Sequence, residues 1–447
     1  MLLKNYRPIL ALAVPAMIEN LLQTLVGFAD TLFVARIGLK AVTAVGAANA
    51  LLAVYIAVFM AVGIGTSSLI AKSIGSGNLS VARDAARQST IVALYSGIFT
   101  GLVTVFAASG LLVLMGTQAS IRDESMIYLQ IVAIPSVIIA LMIHFGNVLR
   151  ASGDTRTPML ISVIVNLIHL LFDYLLIFGW DGFQGFGVPG AAYATVLARL
   201  IGVLLLWHFI HRSAIRFSWF QASKKSDRVI RLDIIRLSLP AAAERLIMRL
   251  GQVVYLGMIL RMGTEIYAAN LIAENIETFA YLPGLGLSVA ATILVGRSLG
   301  AGQPQSAKNI GYQAVIVGIV IMSLSGVLLY FGTPVVANWF TDNVPAQQMI
   351  TLAMRIDAFF MPPLAVGLVL AGALQGSGDT KSPMYSTALG MWGIRVIFIY
   401  LLGLQLHLGI AGIWIAQGID LTFKALFLHL RYKKFFHLKV STARSLR

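Results

Sequence analysis

Eight of the chain's 18 acidic side chains fall inside apolar runs: Glu19, Asp30, Asp173, Glu244, Glu274, Glu277, Asp357 and Asp420. A charge at mid-bilayer costs about 2.5–3.5 kcal/mol on insertion scales, so each must face a wet cavity, find a partner or carry a proton. Asp30 and Asp173 are the most informative. Asp30 precedes Arg36 by six residues and Asp173 precedes Trp180 by seven, which puts both at one depth in the outer half of the first bundle. Asn166 and His169 precede Asp173 by seven and four residues, so the three share a helix face. Glu19 lies eleven residues before Asp30, three turns and about 20° away, and extends a polar stripe along the first span. In the helices of that bundle Arg199 is the single arginine against these three acids, so carboxylate is in excess. Two carboxylates in a partly dehydrated cavity repel one another and resist joint ionisation, and such a pair can exchange a proton for a cation. The competing reading is that helix-end amides or Arg199 hold Asp30 and Asp173 as structural pairs. His169 reads equally as a hydrogen-bonding residue and as a proton relay.

The second bundle has a different balance. Glu244 is next to Arg245 with Arg249 one turn on, Glu274 and Glu277 follow Asn270 on one face, and Arg355 and Asp357 are near neighbours. Internal pairing is the expectation for most of these, and Arg395 with Asp420 reads as a further structural pair. Glu244 stands apart because it occupies the place of Glu19 in an internal repeat.

The elements that position these residues come from that repeat. A block of about 150 residues returns at a constant offset of 225: Pro15 as Pro240, Glu19 as Glu244, Gly38 as Gly263, Lys72 as Arg297, Asp154 as Asp379, Pro158 as Pro383. RASGDTRTPM (150–159) returns as QGSGDTKSPM (375–384). Apolar residues make up 58% of 447 and the mean hydropathy is +0.85, outside the range of a soluble domain. Runs long enough to cross about 30 Å of hydrocarbon lie near 9–35, 44–70, 89–115, 126–149, 158–179 and 189–210. A second set lies near 233–260, 266–296, 311–340, 347–373, 383–405 and 409–430. The expected fold is an all-α polytopic membrane protein of twelve transmembrane helices in two six-helix lobes. Because six is even, the lobes are related by a pseudo-twofold axis along the membrane normal. The expected divisions are 1–217 for the first lobe, 218–232 for a cytoplasmic linker, 233–435 for the second lobe and 436–447 for a basic tail.

The net charge of +15 follows from topology. With both termini cytoplasmic, 24 Lys and Arg fall on the inner segments and four on the outer ones, which is the positive-inside rule and removes the case for nucleic acid. The loops AKSIGSGNLSVARDA and VGRSLGAGQPQSAKNI read as turns facing anionic lipid, and Asp154 and Asp379 as caps for the helices that follow. No cleavable signal is evident. Without cysteine, thiolate metal sites and thiol nucleophiles are excluded, and neither HExxH nor GxSxG occurs. The HxxH of His208 and His211 falls at a basic helix end, where a topological role suffices. Two matching halves in a membrane read as a path between them, so the chain is expected to be a transporter and not an enzyme, with no cofactor.

These residues carry a resemblance. VPAMIENLLQTLVGFADTLFVARIG (14–38), LFDYLLIFG (171–179), GVPGAAYAT (187–195) and the twin SGDT turns are similar to the multidrug and toxic compound extrusion (MATE) family, most of all to its DinF-like branch. The resemblance implies a secondary transporter with a central cleft and alternating access, a monomer among the lipids of a bacterial or archaeal inner membrane, which exports organic cations or amphipathic compounds in exchange for inward Na⁺ or H⁺. Carried over by position, Asp30 and Asp173 match the branch's cation site, where Na⁺ would sit, and Glu244 matches an acid of sodium-type members. Two departures favour H⁺: His169 stands where asparagine is usual, and Leu364 stands where sodium-type members carry an acid. The alternative is a flippase for a lipid-linked or polyprenyl-linked substrate, for which Arg245, Arg249 and Arg355 would meet phosphate.

Overall fold

The computed structural model describes residues 6–180, 182–218 and 225–445. The first half of the chain forms α1 (Tyr6–Ile37), α2 (Leu39–Gly75), α3 (Leu79–Leu114), α4 (Ala119–Ala133), α5 (Ser136–Ala151), α6 (Arg156–Phe178) and α7 (Val188–Arg212). Between α6 and α7 a two-strand hairpin, β1 (Gly179–Trp180) and β2 (Phe183–Gln184), pairs antiparallel. The second half forms α8 (Lys225–Met262), α9 (Thr264–Gly300), α10 (Pro304–Phe340), α11 (Val344–Ser377), α12 (Lys381–Ala388), α13 (Val396–Phe398) and α14 (Gly409–Ser445). Two π-helical stretches, Leu389–Arg395 and Ile399–Gln405, flank α13 and join α12 to it in one span, Lys381–Gln405.

Counting that span once, ten helices are long and apolar enough to cross a membrane, and α4 with α5, bent by 51°, makes an eleventh. The bend follows from Pro135, which cannot donate to the preceding turn. The twelfth is α8, whose apolar part carries Glu244, Arg245 and Arg249. The chain is thus an all-α polytopic membrane protein with six spans from each half.

Several helices outrun the apolar windows read from sequence. α2, α9 and α10 each have 37 residues, about 55 Å at 1.5 Å per residue, against a hydrocarbon core of about 30 Å. The extra turns persist because main-chain hydrogen bonding does not require apolar side chains. α14 likewise runs through the segment expected as a basic tail, at least to Ser445. Tyr432 and Phe436, one turn apart and both 0% exposed, bury its inner face beside Ala307 and Ile310 of α10. The Tyr432 hydroxyl donates to the Ala307 carbonyl at 3.0 Å.

The compact units do not follow the chain halves. One, the first-half unit, comprises 18–74 and 78–242; the second-half unit comprises 1–17, 75–77 and 243–447. Each therefore takes in the opening of the other half's first helix. In the second-half unit, Ile9, Leu12 and Ala13 of α1 share a core with Leu287, Ala290, Val369 and Leu370. In the first-half unit, Ile230 and Ile234 of α8 pack with Ile70, Ala85 and Leu149, and the buried Arg87 guanidinium binds both oxygens of Asp227 at 2.8 Å. α8 starts inside the stretch expected as a linker; residues 219–224 of that stretch lie outside the described residues. The crossing points fall two residues after Pro15 in α1 and two after Pro240 in α8.

Candidate functional site

In the first-half unit, four helices converge on one polar cluster. α6 begins where Asp154 caps it, its Oδ1 accepting from the Thr157 amide at 2.9 Å, and ends at Gly179 with φ +81. α7 lies close against it. A Cβ at Gly190 would stand 2.1 Å from the Leu176 carbonyl oxygen, so only glycine permits this approach. The approach carries Thr195 to His169, whose Nε2 is 3.1 Å from the Thr195 hydroxyl. His169 Nε2 is also 3.5 Å from Asp173 Oδ2, and its Nδ1 is 3.8 Å from Asp30 Oδ1, contributed by α1. One donor atom from each of Asp30, His169 and Asp173 lies within 4.8 Å of the others.

The cluster is graded in exposure. The Asp173 side chain is 2% exposed and that of Asp30 34%, so the site opens on the Asp30 side. Asp30 Oδ1 and Asp173 Oδ2 are buried without a hydrogen-bond partner, as are Asn166 Nδ2 and one terminal nitrogen of Arg199. Among the described residues no lysine or arginine pairs with Asp30 or Asp173 within 4.0 Å. Arg199, one turn after Thr195, remains within electrostatic reach of Asp30, and so does the Tyr128 hydroxyl of α4. The arrangement can hold a cation or protons between carboxylates. The spacing in α6 had pointed to Asn166, His169 and Asp173; Thr195 and Tyr128 were missed, although Thr195 ends the GVPGAAYAT stretch.

Glu19 is not in that cluster. Its carboxylate lies 2.7 and 2.8 Å from Nη1 of Arg150 on α5, whose other terminal nitrogen donates to Asn147 at 3.1 Å. Glu244 occupies the corresponding place in the second-half unit. Its partners are neutral: Gln375 Nε2 at 3.4 Å and the Thr387 hydroxyl at 3.3 Å. Gln375 is the repeat counterpart of Arg150, and both contacts span 131 positions.

Of the remaining acids of the second-half unit, Glu277 and Asp420 are linked through a chain of bonds, and Glu274 has partners of its own. Glu274 accepts from the Tyr255 hydroxyl at 3.1 Å and from Asn270 at 3.0 Å, and Glu277 accepts from Gln417 at 2.9 Å. Gln417 in turn accepts from Arg395 at 3.1 Å. Asp420, 0% exposed, accepts from Arg395 at 2.8 Å and Lys424 at 2.9 Å. The expected Arg395–Asp420 pair is therefore present. The wider expectation of internal pairing is corrected: among the described residues no ion pair joins Arg245, Arg249 or Arg355 to Glu244, Glu274, Glu277 or Asp357. Arg249 is exposed and bonds Gln252 at 3.0 Å; Arg355, also exposed, lies 5.2 Å from the Tyr330 ring centroid. Asp357 is 1% exposed, with Oδ2 unpartnered.

Long apolar helices enclose ionisable clusters, as the passage of ions or polar solutes across a membrane requires. The chain belongs to the MatE family, whose model matches residues 15–175 and 240–401. It is similar to the "Probable multidrug resistance protein NorM" of Thermotoga maritima, at 30% identity over 95% of this chain and 93% of that relative. The "Uncharacterized transporter YisQ" of Bacillus subtilis is 27% identical over 94% and 92%. A solved structure titled "Outward-facing conformation of a multidrug resistance MATE family transporter of the MOP superfamily" superposes with a TM-score of 0.90 at 25% identity, over 97% of this chain and 96% of that one. A Pyrococcus furiosus transporter of the MOP superfamily gives 0.90 at 26%, over the same shares. The protein is a secondary transporter and not an enzyme.

Proposed function

We propose that the protein exports organic cations or amphipathic drugs by alternating access, driven by inward H⁺. The observation that carries this reading is the convergence of Asp30, His169 and Asp173 within 4.8 Å, without a lysine or arginine paired to either acid. Protons arriving from the outer side neutralise the acids, weaken the hold on a cationic substrate and favour its release. Neutral acids tolerate burial, so the transporter can close outward and open inward, where deprotonation restores an anionic site. Each charge moved through the full potential gains about 2.3 kcal/mol per 100 mV. His169 favours H⁺ over Na⁺, since an imidazole nitrogen ligates a hard alkali ion poorly. The drug-resistance names of the relatives support the substrate class, and nothing among them supports the flippase alternative. The positive-inside distribution supports cytoplasmic termini in an inner membrane, and the exposed apolar surface of the spans supports a monomer surrounded by lipid.

The test is reconstitution into liposomes, with dye-cation efflux followed under an imposed pH gradient and, separately, an imposed Na⁺ gradient. Efflux should follow the pH gradient and fall in Asp30→Asn. Native-rate transport by Asp30→Asn under both gradients would end the assignment.

A further inference from the structure

His169 is held in the way a metal-ligating histidine is held. The Thr195 hydroxyl donates its proton to the Ala191 carbonyl at 3.0 Å, so toward His169 Nε2, 3.1 Å away, it can only accept. The hydroxyl therefore places the ring proton on Nε2 and leaves the Nδ1 lone pair directed at Asp30 Oδ1, 3.8 Å away. A ring N–H anchored on one side and a bare nitrogen facing a carboxylate on the other is the usual setting of a ligand imidazole. Donor atoms about 2.0–2.1 Å from a tetrahedral ion stand about 3.3 Å apart, so small side-chain shifts bring this set into range. Asp173 Oδ2, buried without a hydrogen-bond partner, is a separate sign of a missing ligand.

We propose that Asp30, His169 and Asp173 bind a divalent transition-metal ion, through His169 Nδ1 and carboxylate oxygens, in competition with the coupling ion. The inference rests on reading this cluster as the transporter's cation site. Two oxygens and one imidazole nitrogen suit Zn²⁺ and its neighbours better than Na⁺, Mg²⁺ or Ca²⁺, which prefer oxygen throughout. Arg199 and Tyr128 also face the cluster; the guanidinium offsets one carboxylate and limits affinity without blocking coordination.

The experiment is calorimetric titration of the full-length protein in nanodiscs with Zn²⁺, repeated with Co²⁺ to read the ligand-field spectrum of an N/O site. His208 and His211 are replaced by alanine throughout, to remove the surface HxxH. One ion should bind per protein, and His169→Asn should weaken it about 10- to 100-fold. Thr195→Val, which removes the acceptor for Nε2–H, should weaken it less. Equal Zn²⁺ affinity in native and His169→Asn proteins, or binding lost entirely with His208 and His211, would overturn the proposal. Chelated efflux in Asp30→Asn separates the two readings: if it fails while Zn²⁺ binding ignores His169, only the metal inference falls.

Discussion

Glu19 and Glu244 stand at equivalent positions in the two repeats, and so do Arg150 and Gln375 that contact them, yet the two sites differ in charge. Arg150 neutralises Glu19, whereas Gln375 and Thr387 give Glu244 only neutral bonds. The imbalance is reversed elsewhere. In the first-half unit the acids without a cation are Asp30 and Asp173, while in the second-half unit Asp420 is held by both Arg395 and Lys424. Duplication has preserved helices and contact geometry, and divergence has reassigned which acid is compensated. The uncompensated acids are where ions can be exchanged.

The largest effect that would break this contrast is on transport. Asp173→Asn should lower pH-gradient-driven dye efflux by roughly tenfold or more, because one of the two exchangeable carboxylates is gone; unchanged efflux in proteoliposomes would mean that the uncompensated acids do not couple. Next in size, Arg150→Gln copies the second-half arrangement into the first and leaves Glu19 buried without its cation. Thermal unfolding in detergent should show a loss of about 3 kcal/mol, most of it recovered by adding Glu19→Gln. Gln375→Arg makes the reverse exchange. It should pair with Glu244, slow any step that needs that acid uncharged, and shift the pH profile of efflux, while Glu244→Gln in the same background should remove the shift. Arg355→Gln is the smallest change: the side chain is exposed over Tyr330, so it should cost about 0.5–1 kcal/mol and leave efflux near native.

The reading from sequence located the first-half cluster because spacing along one helix and distance to helix ends are local properties. Asn166, His169 and Asp173 share a face by arithmetic alone, and Asp30 met them because its depth could be counted from Arg36. Pairing across helices was not legible in that way. Arg150 falls just past the apolar run 126–149, and its reach back to Glu19, 131 positions away, depends on a long side chain and on the path of α5. The expected Arg355–Asp357 partnership failed for a geometric reason: residues two apart on a helix project about 200° from one another, so burying Asp357 turns Arg355 outward. Helix lengths were underestimated because the apolar windows close at the first polar residues, whereas the main chain continues to bond.

Pro15 and Pro240 are repeat counterparts, and at each the chain passes from one compact unit into the other two residues later. Proline supplies no N–H to its own turn, so α1 and α8 are each missing a rung just ahead of the crossing. The two units have these continuous helices in common, and a rod weakened at one place bends at that place first. Each of the two helices is therefore softest at the same repeat position, in α1 well before the turn that carries Asp30.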